Sequence, residues 1–162
     1  MDKKTVYIET SVISYLTARP SSDLVAAAWQ KVTVDWWESQ RHRFELYTSD
    51  VVIEEAGRGD NRAVERRLEV LSDLPLLAID ESVLALSETL IKAGALPRKA
   101  VGDSLHIGLS AVHGIDYLLT WNYRHIDNAE TKPLIRTVCL ASGYRCPEIC
   151  TPQELMGVYE NG

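Results

Sequence analysis

Short runs that are apolar on consecutive positions, each followed by a stretch of helical period, constrain this chain most. The clearest is "IDYLLTW", residues 115–121. A strand with one wet face alternates apolar and polar residues. One that does not must be covered on both faces, as in a parallel sheet lined by helices. "TVYI" before Glu9, "FELYT" (44–48) and "PLLAID" (75–80) complete the set. Between them lie helical segments. One follows the cap candidates Ser21 to Asp23, and one follows Ser49 or Asp50 and stops at Gly57 and Gly59. Others span 60–74, 81–94 and about 103–114. Two short helices near 124–129 and 132–142, a strand near 148–150 and a helical turn from Pro152 close the pattern. No repeat or linker interrupts it. The expected fold is a single α/β domain over 1–162, three layers deep (α/β/α) around a mostly parallel sheet of about five strands.

No run of about 18 apolar residues occurs, so no membrane span is expected, and the N-terminus lacks a signal-type apolar core. Cytoplasmic location is the expectation. The net charge of −6 argues against a simple electrostatic binder of nucleic acid, but not against an acidic cleft whose sign a divalent cation reverses. The basic spots at Arg41–Arg43, at Arg62, Arg66 and Arg67, and at Arg98 and Lys99 read as solvated helix faces. Cys139, Cys146 and Cys150 lack a second ligand pair and read as thiols rather than a zinc site. Trp29, Trp36 and Trp37 share one helix, and serve either the monomer core or self-association as a homodimer.

Parallel sheets of this kind place functional groups beyond the carboxyl ends of their strands. Glu9 ends the first strand; Glu54 and Glu55 follow the second; Asp103 opens a helix; Thr120 and Asn122 follow "YLL". Singly, each has an ordinary explanation. Glu9 emerges into solvent, Glu55 is a first-turn acid, Asp103 a cap and Asn122 a turn residue. Together they make an oxygen-rich edge suited to Mg²⁺ or Mn²⁺. Repulsion among the acids predicts a raised pKa for at least one.

"VYIETSVISYL", "TSDVVIEEAGRG" and "VGDSLHIGLSAVHGIDYLLTWNYRHI" resemble the successive motifs of PIN-domain proteins, nearest the VapC-like ribonuclease toxins of toxin–antitoxin pairs. The resemblance runs from Thr5 to about Ala129. It implies four catalytic positions: Glu9, where the family has Asp; Glu55, with Glu54 as the competing register; Asp103; and Asn122, where the family has an acid. Glu9, Glu55 and Asp103 would hold the cation. Thr10, Ser11 and Thr120 sit where the family places hydroxyls near the site. Glu9 is one methylene longer than Asp, and Asn122 removes a charge from any second metal site. The implied activity is Mg²⁺- or Mn²⁺-dependent hydrolysis of RNA, with an antitoxin protein as partner. His106, His113 and His125 read as structural, because a metal nuclease needs no histidine. The competing reading is a PIN-like binding module without nuclease activity. A receiver-type reading finds neither its acidic pair near the N-terminus nor a matching strand-end lysine in this chain, and neither G-x-G-x-x-G nor a P-loop occurs.

Overall fold

Three consecutive residues of the first strand, Val6, Tyr7 and Ile8, have no exposed surface. Successive strand residues point to opposite faces, so both faces of the sheet are covered and the architecture has three layers. The computed structural model describes residues 2–158. In chain order the strands are β1 (Lys4–Ile8), β2 (Phe44–Tyr47), β3 (Tyr117–Leu119) and β4 (Glu148–Cys150). The helices are α1 (Thr10–Thr17), α2 (Leu24–Ser39), α3 (Asp50–Ala56), α4 (Asn61–Leu71), α5 (Glu81–Lys92), α6 (Val101–Val112) and α7 (Lys132–Ala141). All strand pairs are parallel, in the order β2-β1-β3-β4. β1 and β3 run side by side with Ile8 opposite Leu119. The strand order reverses between these two, the place where open α/β sheets form a crevice at their carboxyl edge.

The sheet has four strands among the described residues, not five. "PLLAID" contributes only one bridge, Leu76 beside Thr48, flanked by the bonds Thr48 N–H to Pro75 O and Leu77 N–H to Thr48 O. Pro75 has no N–H to extend the ladder. The segment is instead tied down by His113, whose Nε2 lies 2.8 Å from the Ala78 carbonyl, and it ends at Asp80, which caps α5 by accepting from Val83 N–H. Leu76 and Ile79 stay partly exposed.

The helix set differs from the sequence pattern in two places: α1 (Thr10–Thr17) is not among the expected helices, and 124–129 forms turns rather than a helix. The tryptophans of α2 are used largely within the chain. Trp36 is fully buried and donates from Nε1 to the Leu155 carbonyl at 3.1 Å. Trp29 stacks on Trp121 with centroids 5.1 Å apart, and Trp37 lies beneath the Arg41 guanidinium. The three cysteines are free, Cys139 and Cys150 being buried. No described helix is long and apolar enough to cross a membrane.

Candidate metal centre

Glu9 sits in extended backbone as the N-cap of α1, accepting from Ser11 N–H at 3.1 Å. The turn from β1 into α1 folds the longer side chain back against its own helix, which leaves Glu9 only 5% exposed. Its Oε1 accepts from the hydroxyls of Ser11 (2.5 Å) and Thr120 (2.6 Å). Thr120 comes from the end of β3, and the Ser11 hydroxyl oxygen accepts from Trp121 N–H at 2.8 Å. The strand-end acid therefore does not emerge into solvent. It joins the two central strands at their carboxyl edge.

Glu55 lies one turn into α3, whose N-cap Ser49 accepts from Val52 N–H. Its Oε1 accepts from the Thr10 hydroxyl at 2.6 Å and lies 2.7 Å from His106 Nε2. His106 has no exposed surface, and its Nδ1 is 2.7 Å from the Tyr7 hydroxyl, which in turn is 2.7 Å from Ser49 Oγ. Burial works to raise the Glu55 carboxyl, but the hydrogen bond and charge of His106, helped by Thr10 and Arg58, hold it below its ordinary value. Burial works to lower His106, but the bond to Glu55 and the charges of Glu9, Glu55 and Asp103 raise it. Glu55 is thus an ionised acceptor, and Nε2 must carry the proton between them. Repulsion among the acids does not raise Glu55, because a buried imidazole lies against it. Burial also pushes the Tyr7 hydroxyl far up, so it remains protonated.

Glu54 and Glu55 separate cleanly. Glu54 points outward into an exposed pair with Arg58. Glu55 turns inward, and its Oε2 accepts no hydrogen bond from the described residues. Facing that oxygen is Gly102, at the start of α6, where a Cβ would come within 2.9 Å of Oε2. Only the missing side chain leaves room for the carboxylate. Glu55, Gly102 and Asp103 line a cleft of about 390 Å³ together with Arg58 and Lys99.

Asp103 is not the cap of its helix. α6 starts at Val101 after Ala100, and the Asp103 carboxylate turns to the loop after β3. It accepts from Asn122 Nδ2 at 3.2 Å and from His125 Nδ1 at 2.8 Å. Asn122 Oδ1 accepts from the backbone N–H groups of Arg124 and His125, which fixes the amide with its nitrogen toward Asp103. Asn122 thus presents a donor to its acidic neighbour, not the oxygen ligand that its position implied.

Among the described residues, one group of three potential ligands has atoms within 4.8 Å of one another: Glu9, Glu55 and His106. Asp103 stands beside this group and not in it. Of the predicted residues, Glu9, Ser11 and Thr120 form one hydrogen-bonded network, which reaches Asn122, whose N–H donates to Thr120 Oγ1 at 2.9 Å, and through its amide Asp103; Glu55 and Thr10 form a second with His106. Two of the three histidines read as structural belong to these networks. Their spacing was the available signal: His106 follows Asp103 by three and His125 follows Asn122 by three, each on the same local turn. His113 is structural, as expected.

The carboxylates fit a divalent cation. Glu9 and Glu55 bring ionisable oxygens within 4.8 Å, and Gly102 keeps the free Glu55 oxygen clear of side chains. Hard cations take such oxygens and complete their shell with water. The His106 Nε2–H faces Glu55 and offers no lone pair. His106 therefore orients the carboxylate, as supporting hydrogen bonds commonly do around metal ligands.

Among curated proteins, none matches the chain in sequence. The family model for the PIN domain matches residues 6–130, which span β1 to the loop beyond Asn122 and contain both networks. The chain belongs to the PIN domain family.

Proposed function

We propose that this protein is a Mg²⁺- or Mn²⁺-dependent endoribonuclease, the toxin of a toxin–antitoxin pair. PIN domains are generally metal-dependent nucleases. The observation that carries the reading is the pair of carboxylates, Glu9 and Glu55, held within 4.8 Å at the carboxyl edge of the sheet. A bound cation would supply an acidified water and neutralise charge developing on the phosphate. The chain's own contribution is to hold the carboxylates still. Ser11 and Thr120 hold Glu9, and Thr10 and His106 hold Oε1 of Glu55, leaving Oε2 turned to the cleft. Groups fixed in this way need no reorganisation when charge develops. Asn122 and His125 donate to both oxygens of Asp103 and satisfy that carboxylate without a second cation, which favours a single metal. Asp103 then adds negative charge beside the site, and it lines the cleft through which RNA would approach.

A binding module without cleavage is the second reading, and the Asn122 amide, standing where the family has an acid, favours it. Incubation with a panel of single-stranded and structured RNAs separates the two. The nuclease reading expects cleavage with Mg²⁺ or Mn²⁺ and none with chelator. Intact RNA under every cation leaves the binding module. The proposal extends to a cytoplasmic location, an antitoxin partner and a homodimer. Leu24 and Val25, exposed at the start of α2, offer apolar surface for such contacts. A short neighbouring reading frame with a DNA-binding N-terminus would identify the antitoxin, and sedimentation at micromolar concentration tests the dimer.

A further inference from the structure

A second cleft lies away from the acids. It measures about 660 Å³ and is lined by Ser14, Thr17 and Arg19 at the end of α1 and by Arg62, Arg66 and Arg67 of α4. Four arginines thus line one hollow of a chain whose net charge is −6. None of the four is in a salt bridge among the described residues. Two of them are fixed by backbone carbonyls: Arg66 Nε donates to Thr17 O at 2.9 Å, and Arg67 donates to Ala63 O and Arg58 O. The one acid in the lining, Asp60, caps α4 by accepting from Ala63 N–H. Sequence spacing placed Arg62, Arg66 and Arg67 on a solvated helix face. The packing of α4 against α1 converts that face into one wall of a cleft and brings Arg19 to it.

The cleft and the metal centre both take residues from α1. Thr10, Ser14 and Thr17 are spaced four and three apart and share one face of the helix. Thr10 bonds Glu55 at the site, and Ser14 and Thr17 line the arginine cleft. Seven residues of helix rise cover about 10 Å, a distance that a short stretch of single strand spans. Guanidiniums are suited to phosphate, and arginines held by backbone carbonyls lose less freedom on binding it.

We infer that the Arg19–Arg62–Arg66–Arg67 cleft is a phosphate-binding groove for single-stranded RNA, holding the backbone to one side of the bond cut at Glu9 and Glu55. The inference rests on the ribonuclease reading and adds to it where the strand runs. A Glu-rich protein segment would also meet positive charge here. The hydroxyl-bearing face that leads from this cleft to the metal centre favours the strand that must reach that centre.

Arg19 and Arg62 make no side-chain hydrogen bond among the described residues, so Arg19→Ala with Arg62→Ala tests the groove without disturbing the fold. Binding of a ten-nucleotide RNA is followed by fluorescence anisotropy in chelator across a salt series, with melting temperature and Mn²⁺ affinity as controls. The expected result is about tenfold weaker binding and a salt dependence shallower by about 1.4 in log–log slope, at about 0.7 for each phosphate that an arginine no longer neutralises. Weakening should be similar for RNAs of different sequence, with both controls unchanged. RNA affinity and salt slope equal to the parent's would overturn the groove. So would a variant that keeps its RNA affinity but loses binding to an oligoglutamate peptide. If the parent cleaves RNA with Mn²⁺ while the variants bind RNA like the parent, the groove fails and the nuclease reading stands. A parent that neither binds nor cleaves RNA overturns both.

Discussion

A single missing side chain makes room for the carboxylate at the centre of the site. An alanine at 102 would bring its Cβ within 2.9 Å of Glu55 Oε2, and the atom it meets is the far end of a flexible side chain. The fold should therefore survive Gly102→Ala while Glu55 is pushed off its position. Calorimetry should record at least about tenfold weaker Mn²⁺ binding, with a melting temperature in chelator close to the parent's. Unchanged Mn²⁺ affinity would place the cation away from Glu55. The Glu55–His106 pair also gives the apo protein a pH signature. Glu55 is depressed from 4.5, so its contribution is present above that value and is lost as pH falls through the lower folded value. His106 is raised from 6.5, so its contribution is present below that value and is lost as pH rises through the higher folded one. Between 4.5 and 6.5 both are complete. In chelator, His106→Gln should lower the melting temperature most inside that window, and thermal scans from about pH 4 to about pH 9 check this; a flat difference would remove the ion pair. Residue by residue, Glu9 was legible because it ends a strand, whereas Glu55 and Asp103 lie on helices, α3 and α6, and come to the edge through packing. The histidines were not legible. A ring three residues from an acid is noticed only once a helix turn and a loop are known to aim both at the same edge.

At the scale of elements, the network that orients Glu55 spans four of them, Thr10 of α1 among its members. Ser49 caps α3, bonds Tyr7 of β1, and through it reaches His106 of α6. Ser49→Ala should thus remove a cap and a buried hydrogen bond together. The expected cost is about 2 kcal/mol of stability by urea unfolding, with weaker Mn²⁺ binding besides. A loss below about 0.5 kcal/mol would show that the α3 start is held by packing alone. Elements with an uninterrupted apolar run or a clear cap were readable in advance, as with "YLL" of β3 and the Ser49 start of α3. "PLLAID" has strand composition yet forms one bridge, because Pro75 supplies no donor and its far end is committed to His113 and the α5 cap. Composition describes a segment's preference. Whether an edge strand extends depends on where its two ends are anchored.

At the scale of the molecule, the sheet order brings Glu9 and Thr120 together at the point of reversal, and packing of α3 and α6 adds Glu55 and His106. The parallel sheet followed from apolar runs that leave no wet face. Its strand order joins segments far apart in the chain, and the pairing of Asp103 with Asn122 and His125 rather than with Glu9 is made by a loop. Periodicity encodes neither. Two carboxylates this close repel without a cation, and a cation bound only by the folded chain stabilises it by mass action. Millimolar Mn²⁺ should accordingly raise the melting temperature of the parent, and less so that of Glu9→Gln. The most direct test of the central claim is the rate at which parent and Glu9→Gln cleave one single-stranded RNA at saturating Mn²⁺. Gln preserves the shape held by Ser11 and Thr120 but removes the charge. The account predicts cleavage by the parent, lost with chelator, and a rate at least about a hundredfold lower in Glu9→Gln. Equal rates in the two proteins would contradict it.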